Sequence, residues 1–265
     1  MAAEISKKLP MKIVSWNVNG IRACYKKNLV QFVQEHKPDI LCLQETKAHL
    51  EQVEEATRKL GYAQSIWSSA VRKGYSGVAT FFNDPLNQHH LGTGTKEYDS
   101  EGRFVITEHK DFDLYNIYFP NGGSGEERHN FKQSFLKDLL KHLKSELAKG
   151  KKIIVVGDYN VAHKEIDVYD PVELSTESGF LPEEREWMDQ FLNLGFIDTF
   201  RHFHETTKDR YSWWSYRELA RVGNRGWRID YVCISKNLLK NLKSADVLDA
   251  VEGSDHCPVV AELEF

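Results

Sequence analysis

Short apolar runs that each end on a polar residue set the pattern of this chain. Residues 11–17 (MKIVSWN) read as a buried strand closing on Asn17, and Gly20 turns the chain into a helix over roughly 22–36. Pro38 ends that helix, since the residue before a proline is pushed out of the helical region. A second strand follows over 39–44 (DILCLQ), then Glu45 and a helix near 49–59. The opening rhythm is strand, helix, strand, helix.

Between 62 and 119 the pattern becomes four short segments, YAQSIW, SGVATFF, GRFVITEH and FDLYNIYF, divided by Gly, Asn, Asp and Pro. That spacing predicts hairpins, and with them a mixed sheet. A helix is expected over Glu126 to Ala148, where Phe131, Phe135, Leu139, Leu140, Leu143 and Leu147 recur at helical spacing and Gly150 closes the run. Residues 152–157 (KIIVVG) form a continuous apolar strand leading to Asp158, and a helix over about 182–194 leads to Asp198. Residues 229–235 and 257–265 supply the last two strands. No linker or low-complexity run divides the chain, so we expect one α/β domain over 11–265, helices outside one or two sheets, behind a short mobile extension over 1–10.

The polar residues at the strand ends carry the chemistry. Asn17, Glu45, Tyr118 with Asn121, and Asp158 with Asn160 fall at or just beyond C-terminal strand ends, while Asp230 and the Asp255-His256 pair fall near strand starts. If the strands behind Asp230 and His256 run antiparallel to the others, all of these residues meet at one edge of the sheets. Each alone is an ordinary turn former. Crowded together, Glu45, Asp158, Asp230 and Asp255 would repel one another unless a cation joined them. Oxygen ligands beside amides favour Mg²⁺, with Mn²⁺ able to substitute, over zinc. Such a cluster with one histidine and neutral donors suits phosphoryl chemistry. Contiguous Ser254, Asp255 and His256 cannot form a serine-hydrolase triad, because neighbours on a strand point to opposite faces.

Composition changes this picture at two points. Of 265 residues 41% are hydrophobic, enough for a large core, and the four scattered cysteines form no C-x-x-C pair, which fits reduced thiols in a cytosolic protein. No 18-residue apolar stretch appears, so no membrane partner is expected. The formal net charge of −4 argues against a nucleic-acid binder. Residues 201–228 run the other way. Arg201, Lys208, Arg210, Arg217, Arg221, Arg225 and Arg228 face only Glu205, Asp209 and Glu218, with Tyr211, Trp213, Trp214, Tyr216 and Trp227 interleaved. Rings beside guanidinium groups suit unstacked nucleotides; core packing is the competing reading, evenly balanced for Trp214 and weaker for Arg217, Arg221 and Trp227 together. Arg22, Lys26 and Lys27 would add phosphate contacts on the same edge.

The motifs SWNVNGIRA (15–23), LCLQETK (41–47), KGYSGVA (73–79), EGR (101–103), NIYFPNG (116–122), GDYNVAHKEID (157–167), SGFLPEER (178–185), YSWWSYR (211–217), GWRIDY (226–231) and GSDHCP (253–258) resemble, in order, the exonuclease III type of abasic-site endonuclease in the endonuclease/exonuclease/phosphatase superfamily. The resemblance covers nearly all of 11–265. It implies a four-layered α/β sandwich with two mixed β-sheets packed face to face between outer helices. It also implies Mg²⁺-dependent cleavage of double-stranded DNA 5′ to an abasic sugar, leaving a 3′-hydroxyl and a 5′-deoxyribose phosphate, with 3′-phosphatase, 3′-phosphodiesterase and 3′-5′ exonuclease side activities. Carried over by position, Glu45 would be the main metal ligand, assisted by Asn17 and Asp255, with Asp39 supporting from behind. Asp158 would orient or deprotonate the attacking water beside Asn160, Tyr118 would bond the phosphate, and His256 oriented by Asp230 would meet it as base or as protonated stabiliser. Arg22, Lys27, Tyr75, Arg103 and Asn121 match DNA-backbone contacts; Trp213, Trp227 and Ile229 match the pocket for the flipped sugar, and Arg217 a side chain inserted into the base stack. A monomer associated with the nucleoid through DNA is expected.

Two departures stand out. Glu177 occupies a position where the family usually carries Asn beside the pocket, and 121–124 (NGGS) lacks a basic residue some members use on the duplex. Negative charge near the phosphate favours the abasic-site cut over strong 3′-exonuclease activity. A superfamily phosphoesterase acting on RNA ends or phosphoinositides, and an inactive DNA-binding scaffold, remain as alternatives.

Overall fold

The computed structural model of the protein describes residues 10–265, so the expected N-terminal extension lies, but for Pro10, outside the described residues. Twelve strands run β1 (Met11–Asn17), β2 (Ile40–Gln44), β3 (Gln64–Ser68), β4 (Val78–Phe82), β5 (Gln88–His90), β6 (Phe104–Glu108), β7 (Asp113–Tyr118), β8 (Ile153–Asp158), β9 (Phe196–Asp198), β10 (Asp230–Ser235), β11 (Leu242–Val247) and β12 (Val259–Leu263). They form two six-stranded sheets, β11-β12-β1-β2-β4-β3 and β5-β6-β7-β8-β10-β9. Each sheet is mixed, with one central parallel pair, β1 with β2 and β7 with β8.

The uninterrupted apolar runs arise because both faces of these central strands are covered. In β1, Ile13 joins the core between the sheets, with Ile154, Val156 and Ile234 opposite, while its neighbour Val14 faces the layer holding Ile21, Leu29 and Phe32. In β8, Val155 turns outward to meet Phe135, Leu139 and Leu143 of the Glu126–Ala148 helix and Trp187 and Phe191 of the Pro182–Asn193 helix. Helix, sheet, sheet and helix make four layers.

Elements the sequence pattern missed are short or sit at sheet edges. β5 and β9 have three residues each, and β5 is wholly exposed. β11 carries Lys243 and Ser244 outward and reads as polar. The helix expected over 22–36 is continuous but contains a π-turn at Tyr25–Leu29, and the one near 49–59 divides into a 3₁₀ turn at Leu50–Gln52 and a short helix at Glu55–Lys59.

Two polar connections fix the sheets relative to one another. Gln44 on β2 donates through Nε2 to Asn116 Oδ1 on β7 (2.7 Å) and to Ser15 Oγ on β1 (2.9 Å). Asn116 Nδ2 donates in turn to Ala79 O (3.0 Å) and Thr80 Oγ1 (3.1 Å) on β4. All are fully buried, so breaking any one would strand a polar group without water. Gly157 lets β8 approach β7: a Cβ there would stand 1.8 Å from Ile117 O, with φ at +146°.

Four cations of the basic stretch are engaged within the fold, while Lys208, Arg217 and Arg225 stay exposed. Arg228, fully buried, binds Asp167 and Asp198, and Arg201 also binds Asp167. Arg210 pairs with Asp246 and Asp249. Arg221 lies 4.5 Å over the Trp214 ring and donates to Asp249 O and Val251 O, and Trp214 itself is core. Burial raises the Asp167 carboxyl, but the Arg228 and Arg201 guanidiniums outweigh it and hold it at about 2, against an ordinary 3.8. A depressed pKa stabilises the fold above the ordinary value, and that stability is lost as pH falls through about 2. Asp167→Asn should cost about 3–5 kcal/mol at neutral pH in urea denaturation, with the gap to the parent narrowing towards pH 2.

Candidate active site

Antiparallel pairing settles where the strand ends go. β12 runs against β1, and β10 against β8 with Asp230 directly opposite Asp158. The C-terminal ends of β1, β2, β7 and β8 and the entries to β10 and β12 therefore share one edge. Asn17, Glu45, Tyr118, Asp158, Asp230 and His256 meet there.

Glu45, Asp158 and His256 bring one ligand atom each to within 4.8 Å of one another. Asn17, fully buried, spans the two carboxylates: its Nδ2 donates to Glu45 Oε1 and Asp158 Oδ2, both at 2.9 Å. Its Oδ1 is taken by the Asn19 amide (3.0 Å). Through these bonds Asn17 clamps the two carboxylates to one another. His256 Nδ1 lies 2.8 Å from Asp230 Oδ2, and Nε2 lies 3.8 Å from Asp158 Oδ2. Asp230 Oδ1 is buried and without a hydrogen-bond partner.

Charge states follow from these neighbours. Burial pulls the His256 imidazole down, but Asp230, Asp158 and Asp255 outweigh it and hold the ring above its ordinary value, as an imidazolium at neutral pH. Asp158 is raised, chiefly by burial and also by Asp230 and Glu45, with His256 opposing. Glu45 is lowered despite burial, because Lys47 and Asn17 hold its charge. Tyr118 is raised well above its ordinary value by burial and by Glu45, so its hydroxyl stays a donor. Glu45 and Asn160 have φ of +49° and +52°, a conformation that costs non-glycine residues energy and that the surrounding hydrogen bonds hold in place.

Other expected residues fall differently. Asp255 lines the same cleft as Glu45 and accepts Asn19 Nδ2 (2.9 Å) and Trp213 Nε1 (3.1 Å), which ties it to the aromatic wall as well. Asp39 accepts the Lys12 amide at the opposite end of β2 from Glu45 and cannot support it. Arg103 is 1% exposed, so it is no direct contact for a DNA backbone. It donates to Glu101 and Tyr75 and lies 4.8 Å over the Tyr118 ring, fixing that tyrosine. Arg22, Lys27, Arg217 and Asn121 are exposed and Tyr75 half-buried. Asn121 Nδ2 donates to Asn160 Oδ1 (3.0 Å), while Asn160 N and Nδ2 both donate to Asp158.

Sequence reasoning missed Lys47, whose ammonium lies 2.7 Å from Glu45 Oε2, and Asn19, which accepts from the same ammonium. Each stands two residues beyond a chosen one, in QETK and NVN, and that alternation was the available signal. The carboxylates open into a cleft of about 580 Å³ that Trp213, Trp227, Ile229 and Leu174 share with Glu45 and His256. The carboxylates that line this cleft, Glu45, Asp158 and Asp255, offer the oxygen donors that a divalent cation takes.

Residues 14–256 match the model of the endonuclease/exonuclease/phosphatase family. The chain belongs to that family. Within the endonuclease/exonuclease/phosphatase family, it is 41% identical to an exodeoxyribonuclease of Bacillus subtilis over 94% of this chain and 98% of the relative. It is also 41% identical to a DNA repair nuclease of Danio rerio over 96% of this chain and 82% of the relative. An AP endonuclease from Archaeoglobus fulgidus superposes with a TM-score of 0.86 at 29% identity, covering 96% of this chain and 100% of that one. The protein is a hydrolytic DNA-repair nuclease of the exonuclease III type, and the sandwich expected from its motifs is the fold it has.

Millimolar Mg²⁺ should raise the thermal midpoint by several degrees over EDTA, as about 2.7 kcal/mol follows at a hundredfold excess over Kd. Glu45→Gln should abolish most of that shift in differential scanning fluorimetry, with the EDTA midpoint little lowered.

Proposed function

We propose that the protein cuts duplex DNA on the 5′ side of an abasic sugar in a Mg²⁺-dependent reaction, Mn²⁺ substituting, and leaves a 3′-hydroxyl and a 5′-deoxyribose phosphate. One observation carries this reading: the carboxylate and imidazole cluster and the apolar wall of Trp213, Trp227 and Ile229 belong to a single cleft. A baseless sugar turned out of the helix fits an apolar recess, and its 5′ phosphate then lies against the polar cluster.

Glu45, with Asp255 lining the same cleft, would hold the cation, and the bound ion would neutralise charge gathering on the phosphate oxygens. The chain's own groups do the rest. His256 as imidazolium donates from Nε2 to a non-bridging oxygen, Asp230 holding Nδ1 and the ring plane. Tyr118 donates its hydroxyl proton to the same phosphate. Asp158, its oxygens aimed by Asn17 and Asn160, accepts a proton from the attacking water. The water oxygen bonds to phosphorus as the P–O3′ bond breaks, and the leaving 3′-oxygen takes a proton from solvent water. Arg22, Lys27, Tyr75, Arg217 and Asn121 are the accessible groups that would hold the DNA strands.

The outer cleft favours internal abasic sites over 3′ ends. Glu173, Glu177 and Glu218 line it, with Arg225 the one guanidinium among the lining residues. Carboxylates there oppose a doubly charged terminal phosphate. A solved neighbour from Neisseria, of TM-score 0.87 and 28% identity, is described as a 3′ phosphatase bound to product DNA hairpin, so phosphatase activity has a precedent on this scaffold.

A duplex with one abasic site should be nicked in Mg²⁺ and intact in EDTA; equal cutting in both, or none in either, sinks the proposal. Asp158→Asn and His256→Ala should each lower kcat by about 10²–10⁴ while the thermal midpoint identifies folded protein. Glu177→Gln should raise 3′-phosphate removal several-fold relative to abasic cutting, read on paired substrates in one buffer.

A further inference from the structure

Lys132 and Glu184 are wholly buried opposite charges on the two outer helices of the second sheet. The Glu126–Ala148 helix directs Lys132 inward among apolar neighbours, although nothing in a helix requires a cation there. Beyond each other, their partners are main-chain atoms of two loops. Lys132 Nζ donates to Asn160 O (2.8 Å), and Glu184 Oε2 accepts the amides of Gly179 (2.6 Å) and Leu181 (3.1 Å).

Those loops carry the two halves of the cleft. Asn160 aims Asp158 and meets Asn121. Gly179 lies against the pocket wall: with φ at +102°, a Cβ there would stand 3.2 Å from Asn160 O and 3.3 Å from the Trp227 ring. Ala162 N donates to Gly179 O (2.7 Å), closing the connection, and the Lys132 stem packs under Gly122. A continuous path therefore runs from Asp158 through Asn160 to Lys132, across to Glu184, and back through Gly179 to Trp227.

We infer that the Lys132–Glu184 pair is a positioning device for the nuclease reaction, setting the spacing between the catalytic turn at Asp158–Asn160 and the aromatic wall at Trp227. Stability alone does not call for it, since a buried ion pair gains little over apolar residues of the same size. What apolar residues cannot supply is a donor to Asn160 O and an acceptor for Gly179 and Leu181 at one fixed separation. The pair touches neither substrate nor metal ligand, so its loss should act on kcat.

The test is the double variant Lys132→Met/Glu184→Gln, which removes both charges, keeps an acceptor for Gly179 and Leu181, and deletes the bond to Asn160. Glu184→Gln alone is the second variant in case the double variant does not fold. kcat and KM are measured well below the thermal midpoint on an abasic duplex and on a duplex with a recessed 3′ end. A fall in kcat of roughly tenfold or more, with KM within about twofold, is expected for folded variant protein. An unchanged kcat, or a loss that vanishes once rates are divided by the folded fraction, overturns the inference. Parent protein inactive on the abasic duplex alone sinks the substrate reading and leaves the recessed-end arm to judge the pair.

Discussion

Like charges from two separate sheets have to be kept within a few ångströms of each other, and the rest of the structure answers to that constraint. Glu45 rides on the first sheet, Asp158 and Asp230 on the second, and His256 on the loop that re-enters the first. Repulsion would spread them were the sheets free to slide. The buried bridge from Gln44 to Asn116 prevents sliding one residue behind Glu45, and Asn17 clamps the carboxylates themselves. The imidazolium and the Lys47 ammonium provide positive charge from within the chain.

The same constraint explains why polarity deep in the fold is organised around main-chain atoms. Arg103 bonds Tyr118 O, Lys132 bonds Asn160 O, and Ser254 Oγ bonds Asn17 O. In each case a buried donor holds the carbonyl of a residue whose side chain faces the cleft. Side-chain aim is thus set by anchoring the backbone beneath it, which is stiffer than packing alone.

Much of this was legible in the sequence. Apolar runs such as KIIVVG announced central strands because both their faces are covered, and the polar residues at their ends pointed to one edge on the condition of antiparallel pairing, which β10 and β12 fulfil. Charged residues were the harder reading. Arg228, Arg103 and Lys132 look like surface cations by type, and only their carboxylate partners make their burial tolerable: Glu101 beside Arg103, and the distant Asp167 and Glu184 for Arg228 and Lys132. The orientation of the Asn17 amide depends on the Asn19 amide and two carboxylates, which no strand pattern specifies. Edge strands β5 and β9 were too short to show any period.

The pairing of β1 with β12 places distant parts of the chain side by side. Trp16 Nε1 donates to His256 O across 240 positions, and Ser254 reaches Asn17 across 237. Contacts of such separation form late and slowly. A nascent chain emerging from the ribosome therefore exposes the Asn17 and Glu45 segments long before the imidazole exists to complete the cleft. The cleft is thus assembled only when β12 has paired with β1 across the length of the chain.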